Sequence, residues 1–313
     1  MPKKKVVLPS SSKKNQKMKK AGQRLMFLLS PAKTLNFAKT ERPNLSFSNP
    51  ALLNEVDPLV IALKGMSKGK LKSLLKVSDN INTLNYERYQ AFLESDKSKR
   101  SKPIAEKFKQ CILSYNGAAY NGLRANDLSD EDLIFCNKHL RIISGLYGVL
   151  RPLDLIQPYR LDFGLKLATE NHKDLYSYWG DRCSKLIDGD VGNDGVVINV
   201  ASNEYFKSVS KTLHSRVITC EFKDGGRIIS VFAKRARGLM VKYAIEKRVK
   251  NVEDVKKFDL EGYTYDEKQS DANTFVFTRT KKAANSSSNG GKTKKRTAAS
   301  TKAVCTKKKK KRK

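Results

Sequence analysis

Both ends of this 313-residue chain are rich in basic residues and contain no acidic ones. Residues 1–24 hold nine Lys/Arg and residues 279–313 hold fifteen, with no Asp or Glu in either segment. Such segments bury too little apolar surface to offset the entropy that is lost on ordering. We therefore predict two disordered basic tails, with folding confined to residues 25–278.

The tails also carry most of the charge. Of the formal net charge of +32, the tails contribute +24 and residues 25–278 contribute +8. A polyanion is the expected partner, although the tails could attract it without help from the folded part. The PKKKV start resembles a nuclear import signal, and a solvated basic arm is the alternative. A mitochondrial presequence fits less well, because this segment is rich in Lys rather than Arg.

Other features indicate an intracellular protein. The five cysteines, at positions 111, 136, 183, 220 and 305, show no CxxC spacing, so reduced thiols are the simplest interpretation. No hydrophobic secretory segment opens the chain, and its apolar runs are too short to span a membrane. We expect a nuclear or cytoplasmic monomer that is not secreted and has no membrane partner.

Hydrophobic spacing predicts a strand and then several helices in the first half of the chain. The apolar run 25–29 predicts a buried strand that ends at Ser30-Pro31. Helical spacing follows within 54–63, 69–77, 81–93 and 103–113. Ser129 followed by Asp132 resembles a capping box and predicts a helix to about His139.

Strand patterns dominate the second half. A helix with Trp179 in the core is predicted within 174–186, and a central strand at 196–200. Strands at 216–222 and 227–233 are expected to form a hairpin, followed by a helix at 237–249 and a closing hairpin at 263–277. Without a clean βαβ alternation, we predict one compact α+β domain with a mixed sheet.

Two cationic segments are candidates for binding phosphate. Lys33 follows the first strand, where an open sheet presents ligands, although an ordinary turn is equally consistent. Lys234, Arg235 and Arg237 are predicted at a strand-to-helix junction. Cations at a helix start are unfavourable unless an anion is bound, so this segment favours contact with an anion.

Residues 140–160 are the richest segment. Gly145 and Gly148 flank a hydrophobic pair, a spacing that resembles the turn of helix-hairpin-helix DNA-binding elements. Arg141, Arg151 and Arg160 surround this turn and could clamp phosphates. The alternative is a buried strand at 141–144 that leads into a rigid, proline-bounded loop.

A polar cluster follows the strand predicted at 196–200. Asn199 or Ser202 could cap a following helix. Lys207 is a further candidate for binding phosphate, and the alternative is a surface pair with Glu204. Glu204 and Asp154 are weak candidates for catalysis. No cofactor motif is found, residues 188–195 lack the ligands of a calcium loop, and the three histidines are too far apart to suggest a metal site, so none is predicted.

Five segments together resemble the YaaA family of peroxide stress proteins: SPAKTL (30–35), LRIISGLYGVLRPLDLIQPYRLDFG (140–164), DLYSYWG (174–180), NVASNEYFKSV (199–209) and KRARGLM (234–240). The resemblance covers about 250 residues, from Met26 to about Thr278. This chain has Asp162 and Phe163 where relatives often have Glu and Met. Both basic tails lie outside the stretch that resembles the YaaA family, and they suggest a eukaryotic setting.

The resemblance implies a single α+β domain that binds double-stranded DNA in a positively charged cleft with a helix-hairpin-helix-like element. It also implies a role in peroxide stress, linked to lowering free intracellular iron. Residues carried over within matching motifs are Lys33, Arg151, Arg160, Lys234 and Arg237. No catalytic role is implied, so a non-enzymatic DNA-binding protein is the leading hypothesis. The alternative is an enzyme acting on a nucleotide or phosphorylated ligand in the same cleft.

Overall fold

Residues 24–93 and 107–280 are described by the structure, which is a computed structural model. The predictions for residues 1–23 and 281–313, and for the start of the helix at 103–113, lie outside the described residues. Arg279 belongs to the last strand rather than to a tail, so the predicted boundary at residue 278 is one residue too early.

The strands of the described residues follow one another as β1 (Leu25–Leu29), β2 (Thr34–Leu35), β3 (Lys109–Gln110), β4 (Tyr115–Asn116), β5 (Leu140–Ser144), β6 (Gly148–Leu150), β7 (Leu155–Ile156), β8 (Val196–Asn199), β9 (Arg216–Asp224), β10 (Thr264–Tyr265) and β11 (Thr274–Arg279). The helices are α1 (Asp57–Lys64), α2 (Lys68–Leu75), α3 (Asp79–Gln90), α4 (Cys111–Ser114), α5 (Ala118–Leu123), α6 (Asp130–His139), α7 (Leu175–Trp179), α8 (Arg182–Val191), α9 (Asn203–Phe206), α10 (Ser230–Glu246) and α11 (Val252–Lys256).

Seven strands form one sheet, in the order β10-β11-β9-β8-β1-β5-β6. The five strands from β11 to β5 are parallel, and β10 and β6 pair antiparallel at the two edges. The predicted mixed sheet in a single domain is therefore confirmed. The parallel centre makes the domain a mixed α/β fold rather than the α+β arrangement that was predicted.

The central strands have the composition that a doubly covered sheet requires. Every residue of β1, β5 and β8 is buried, because helices and loops cover both faces of the sheet. The predicted strands at 25–29 and 196–200 are confirmed, and Trp179 is fully buried as predicted. Among the described residues, no helix is long and apolar enough to cross a membrane.

Local capping signals were reliable. In the capping box of α6, Ser129 Oγ accepts from the Asp132 N–H at 3.1 Å, and the Asp132 carboxylate accepts from the Ser129 N–H at 3.2 Å. Helices predicted in the first 93 residues correspond to α1, α2 and α3. The helix predicted at 103–113 is wrong at Lys109–Gln110, which form β3 opposite β7.

The strand predicted at 227–233 is wrong. Two glycines with positive φ, Gly225 and Gly226, turn the chain after β9, and α10 begins at Ser230. The β-branched residues that suggest a strand, Ile228, Ile229 and Val231, are exposed. The buried residues Ala233, Ala236 and Met240 have helical spacing, and their burial determines the local structure.

The helix-hairpin-helix-like element is also wrong. Residues 140–150 form a β-hairpin, in which Ser144 of β5 is opposite Gly148 of β6. Gly148 has a positive φ of 69°, and a Cβ there would lie 2.8 Å from the Trp179 ring. At Gly145, a Cβ would overlap the Leu161 carbonyl oxygen. Both glycines are thus needed for internal packing, and the alternative of a buried strand and a rigid loop is the correct one.

Candidate functional site

The connections of the central strands reverse direction between β1 and β8. These strands are neighbours, but the chain leaves β1 toward β5 and leaves β8 toward β9, on the other side. In open parallel sheets, such a reversal opens a crevice beyond the carboxyl ends of the strands, where ligands bind. We call this place the switch-point crevice, formed by residues 30–33 after β1 and 200–204 after β8.

Two serines join the walls of the switch-point crevice. The N–H of Ser202 donates to Ser30 Oγ at 2.9 Å, and the two hydroxyl oxygens lie 3.3 Å apart. From α5, the Tyr120 hydroxyl donates to the Ser30 carbonyl at 3.1 Å. Ser202 occupies the N-cap position of α9, but its side chain makes no capping bond, so the predicted capping by this hydroxyl is wrong.

A lysine and a buried carboxylate lie beside the serines. Lys33 Nζ is 3.0 Å from Asp162 Oδ2, and the Tyr205 hydroxyl donates to Asp162 Oδ1 at 3.0 Å. The Lys33 side chain is 58% exposed, whereas that of Asp162 is 10% exposed. Burial, and then the negative charge of Asp162, raise the pKa of Tyr205 far above its ordinary value. The Tyr205 hydroxyl therefore stays protonated and remains a donor.

A buried network of hydroxyl groups lies next to the segment that carries Asp162. The Tyr159 hydroxyl lies 2.7 Å from both Ser144 Oγ and the Tyr115 hydroxyl. Burial raises the pKa of both tyrosines, so the network consists of neutral hydroxyls at physiological pH. Mutual hydrogen bonds satisfy these groups and fix the segment that leads from Tyr159 to Asp162.

Four of the predicted phosphate-binding cations are held by internal carboxylates. Besides Lys33, these are Arg141, Arg151 and Arg235. Arg141 is 3% exposed and bonds to Asp190 at 2.6 Å. Arg151 bonds to Asp154 at 3.1 Å, and Arg235 bonds to Glu261 at 2.9 Å. The interpretation of Arg141 as a phosphate clamp is therefore wrong, because its guanidinium is enclosed and also donates to backbone carbonyls.

The other four cations have no carboxylate partner among the described residues. Lys207 and Lys234 are exposed, and Lys207 Nζ lies 5.1 Å from the centre of the Tyr176 ring. Arg160 Nε and Arg237 Nε are buried, and neither has a hydrogen-bond acceptor within residues 24–93 and 107–280. Burial lowers the pKa of Arg237. A buried donor without an acceptor is unfavourable, so the packing of the described residues alone does not account for these two Nε atoms.

The helix that carries Arg237, α10, packs against α5, the helix whose Tyr120 contacts Ser30. Gly238 touches the backbone of Ala119, and the next residue, Tyr120, bonds to Ser30. One helical turn after Arg237, Val241 lines a small cavity with Phe27 of β1. Arg237 therefore lies on the side of α10 that faces β1. It is inside the helix rather than at a strand-to-helix junction, so the predicted anion contact at a helix start is wrong in its geometry.

The two carboxylates considered for catalysis differ in accessibility. Glu204 is exposed in α9, and its Oε1 accepts from the Gly164 N–H at 2.9 Å. Asp154 is fully buried and accepts from Ser48 Oγ at 2.6 Å and from the Arg151 N–H at 2.8 Å. Asp154 is therefore a structural residue. Within the described residues, no group of three His, Cys, Asp or Glu is arranged to hold a metal ion.

Two larger cavities lie outside the crevice itself. One, of about 790 Å³, is bounded by Tyr115, Tyr120 and Arg235, among other residues. The second, of about 580 Å³, lies between residues 40–44 and 126–130. Neither is lined by Arg160 or Arg237, so the predicted single basic cleft coincides with neither of these two cavities.

Sequence comparison assigns the segments that build the crevice to a known family. Residues 25–269 match the family described as peroxide stress protein YaaA. The chain belongs to the YaaA family. A UPF0246 protein of Alteromonas mediterranea is 42% identical over 267 residues, which cover 83% of this chain and 100% of that protein. A UPF0246 protein of Maricaulis maris is 43% identical over 267 residues, or 83% and 98% of the two chains.

Three of the YaaA-family segments recognised in the sequence meet at the switch-point crevice. Ser30 and Lys33 come from 30–35, Asp162 comes from 140–164, and Ser202 and Tyr205 come from 199–209. The segment 234–240 lies in α10, where Gly238 packs against Ala119 of α5. The segment 174–180 contributes Trp179 to the core beneath Gly148.

Several residues of the crevice were missed by the sequence analysis. Asp162 was noted only as a departure from relatives, and Tyr205 and Tyr159 only as members of YaaA-family segments. These positions gave a signal, because they lie inside segments that match the family. Tyr120 and Tyr115 lie in no such segment, and their contribution depends on helix–sheet packing that local spacing does not encode.

Proposed function

We propose that this YaaA-family chain binds the phosphate groups of duplex DNA along the carboxyl edge of its sheet. The observation that carries the proposal is the pair of buried guanidinium donors, Arg160 Nε and Arg237 Nε, that have no acceptor among the described residues. A phosphate oxygen would satisfy a donor of this kind through a charge-assisted hydrogen bond. Lys207 and Lys234 are exposed and would add contacts to neighbouring phosphates.

The name of the matching family suggests the biological setting. A peroxide stress role, in which the protein protects DNA or limits free iron, is part of this proposal. No set of His and carboxylate ligands within the described residues favours direct iron binding, so we propose that any effect on iron is indirect. The basic tails would add attraction that does not depend on sequence, and they favour a nuclear or cytoplasmic partner of high negative charge.

Duplex binding by a protein truncated to residues 24–280 is the decisive measurement. The relative from Alteromonas mediterranea is covered over its full length by the alignment, so the family fold exists without the tails of this chain. We expect the truncated protein to bind duplex DNA at low salt. Arg160→Met and Arg237→Met should each weaken binding by about tenfold and reduce the slope of log K against log salt by about one.

Arg216→Met provides the matched control. Arg216 is exposed at the start of β9, at the opposite edge of the sheet, and its guanidinium contacts only a backbone carbonyl among the described residues. This variant should bind DNA like the unmodified truncated protein. If the truncated protein fails to bind while the full chain binds, the tails account for the affinity and the proposal is wrong.

A second candidate function is an enzyme acting on a phosphorylated or nucleotide-like ligand. It is favoured by the Lys33–Asp162–Tyr205 triad, because a lysine beside a buried carboxylate can combine phosphate binding with acid–base chemistry. Turnover of nucleotides and nucleic acids by the full chain should then be lost in Glu204→Gln or Asp162→Asn. Equal background rates in all three proteins would exclude this function.

A further inference from the structure

A polar groove adjoins the switch-point crevice. It has a volume of about 790 Å³, which is in the range of small-molecule sites. Asn116, Asn121 and Asn126 line it, together with the buried residues Tyr115 and Tyr120. We call it the asparagine groove. None of its residues belongs to the cations that carry the proposed DNA contact.

Charges within the asparagine groove are matched. Arg124 forms an ion pair with Asp127, and Arg235 donates through Nε to Glu261 at 2.9 Å. The groove therefore offers no unpaired cation for a phosphate. Its free hydrogen-bonding capacity comes from the side-chain amides of the three asparagines, because Arg235 and Arg42 donate to the backbone carbonyls of Asn121 and Asn126 and not to their side chains. Uncharged polar groups that both donate and accept are the best complement to such a surface.

Two residues connect the groove with the crevice. Tyr120 lines the groove, and its hydroxyl donates to the Ser30 carbonyl in the crevice. Asn36 also lines the groove, three residues after Lys33, where β2 pairs with β4. Lys33 is the cation of the crevice, and its side chain is 58% exposed, so an anionic group could reach it beside Asp162. A ligand that occupies both places would then have one anionic end and one neutral polar end.

We propose that the asparagine groove holds the base and sugar of a single nucleotide whose phosphate occupies the switch-point crevice. Asparagine amides can pair with the donor and acceptor edge of a base. This inference rests on the proposed function, which places phosphate binding along the same carboxyl edge of the sheet. The nucleotide is either a free mononucleotide or an unpaired nucleotide of a DNA strand, since both carry the same groups.

Calorimetric titration of the full chain at about 0.3 M salt, where exposed charges are largely screened, tests the inference. The probes are inorganic phosphate, AMP, GMP, CMP and UMP. At least one mononucleotide should bind at least about tenfold tighter than phosphate, a difference of about 1.4 kcal/mol. The double variant Asn121→Leu/Asn126→Leu should lose that excess while keeping the affinity for phosphate. Asn80→Leu, an exposed asparagine of α3, is the control and should retain the excess.

The binding measurements distinguish an incorrect groove inference from an incorrect proposed function. If duplex binding depends on Arg160 and Arg237 but no mononucleotide binds tighter than phosphate, the groove inference is wrong and the DNA proposal stands. The groove inference is also wrong if the double variant still binds the mononucleotide more tightly than phosphate. If mononucleotides bind through the groove but duplexes do not bind, the DNA proposal is wrong instead. If a duplex with one unpaired nucleotide binds more tightly than a fully paired duplex, the nucleotide in the groove is an unpaired nucleotide of a DNA strand.

Discussion

Arg279 and Asp224 form a buried ion pair, in which only 2% of the Arg279 side chain and 1% of the Asp224 side chain are exposed. The Tyr263 hydroxyl donates to the same carboxylate at 3.0 Å, and the Arg279 guanidinium lies 4.4 Å from the centre of the Tyr263 ring. Because these residues end β9 and β11, the pair fixes the last strand of the domain to its neighbour. The basic tail therefore begins immediately after a buried charge network.

Arg279→Ala should destabilise the domain strongly. Removal of one partner leaves Asp224 as a buried charge without its cation, which costs about 3–5 kcal/mol. Urea unfolding monitored by Trp179 fluorescence would measure the change in free energy of unfolding. Arg216→Ala, at an exposed position, should change it by less than about 0.5 kcal/mol. A similarly small change for Arg279→Ala would show that the ion pair does not hold β11 in place.

Arg237→Met should separate binding from stability. The variant keeps the length of the side chain and removes a buried donor that has no acceptor among the described residues, a situation that costs about 1–3 kcal/mol. We expect the melting temperature to be unchanged or higher, while duplex binding weakens. A clear loss of stability with unchanged DNA binding would instead make Arg237 a structural residue.

Helices and strands were predicted correctly where the signal comes from residues that are close in sequence. The capping box of Ser129 and Asp132 and the apolar runs of β1 and β8 depend on neighbours in sequence, and all were predicted correctly. The strand predicted at 227–233 failed because its β-branched residues are exposed. Burial of Ala233 and Ala236 in the folded state decides that segment.

The candidate site was less predictable than the elements. A switch point is a property of strand order, which the spacing of residues does not contain, so the pairing of Ser30 with Ser202 could not be derived. Arg141 shows the opposite error. A cation within an apolar run suggested a phosphate clamp, but Asp190, 49 residues later, neutralises it in the interior. Which cations are free depends on long-range ion pairs.

Gly148→Ala should destabilise the domain without a direct effect on DNA binding. The positive φ and the contact of a Cβ with the Trp179 ring together cost about 2–4 kcal/mol. Gly189→Ala, in the interior of α8 with open space around it, should stabilise by about 0.5–1 kcal/mol. Duplex affinity per folded molecule should be the same in both variants. A specific loss of affinity in Gly148→Ala would revive a direct role of the glycine turn in binding phosphate.

Stability should fall with pH below neutrality because of His139. Its ring stacks on Phe135, and its Nδ1 lies 3.1 Å from the Leu25 carbonyl. Burial is the main reason that its pKa is lowered in the folded protein, so the unfolded chain binds a proton that the folded chain does not. The stabilisation is complete above the unfolded pKa, about 6.5, and is lost as pH falls toward the folded pKa, by at most about 1.4 kcal/mol per pH unit. Urea midpoints measured between pH 8 and 5 should therefore decline in the wild type and decline less in His139→Gln. An equal decline in both proteins would assign the pH dependence to other groups.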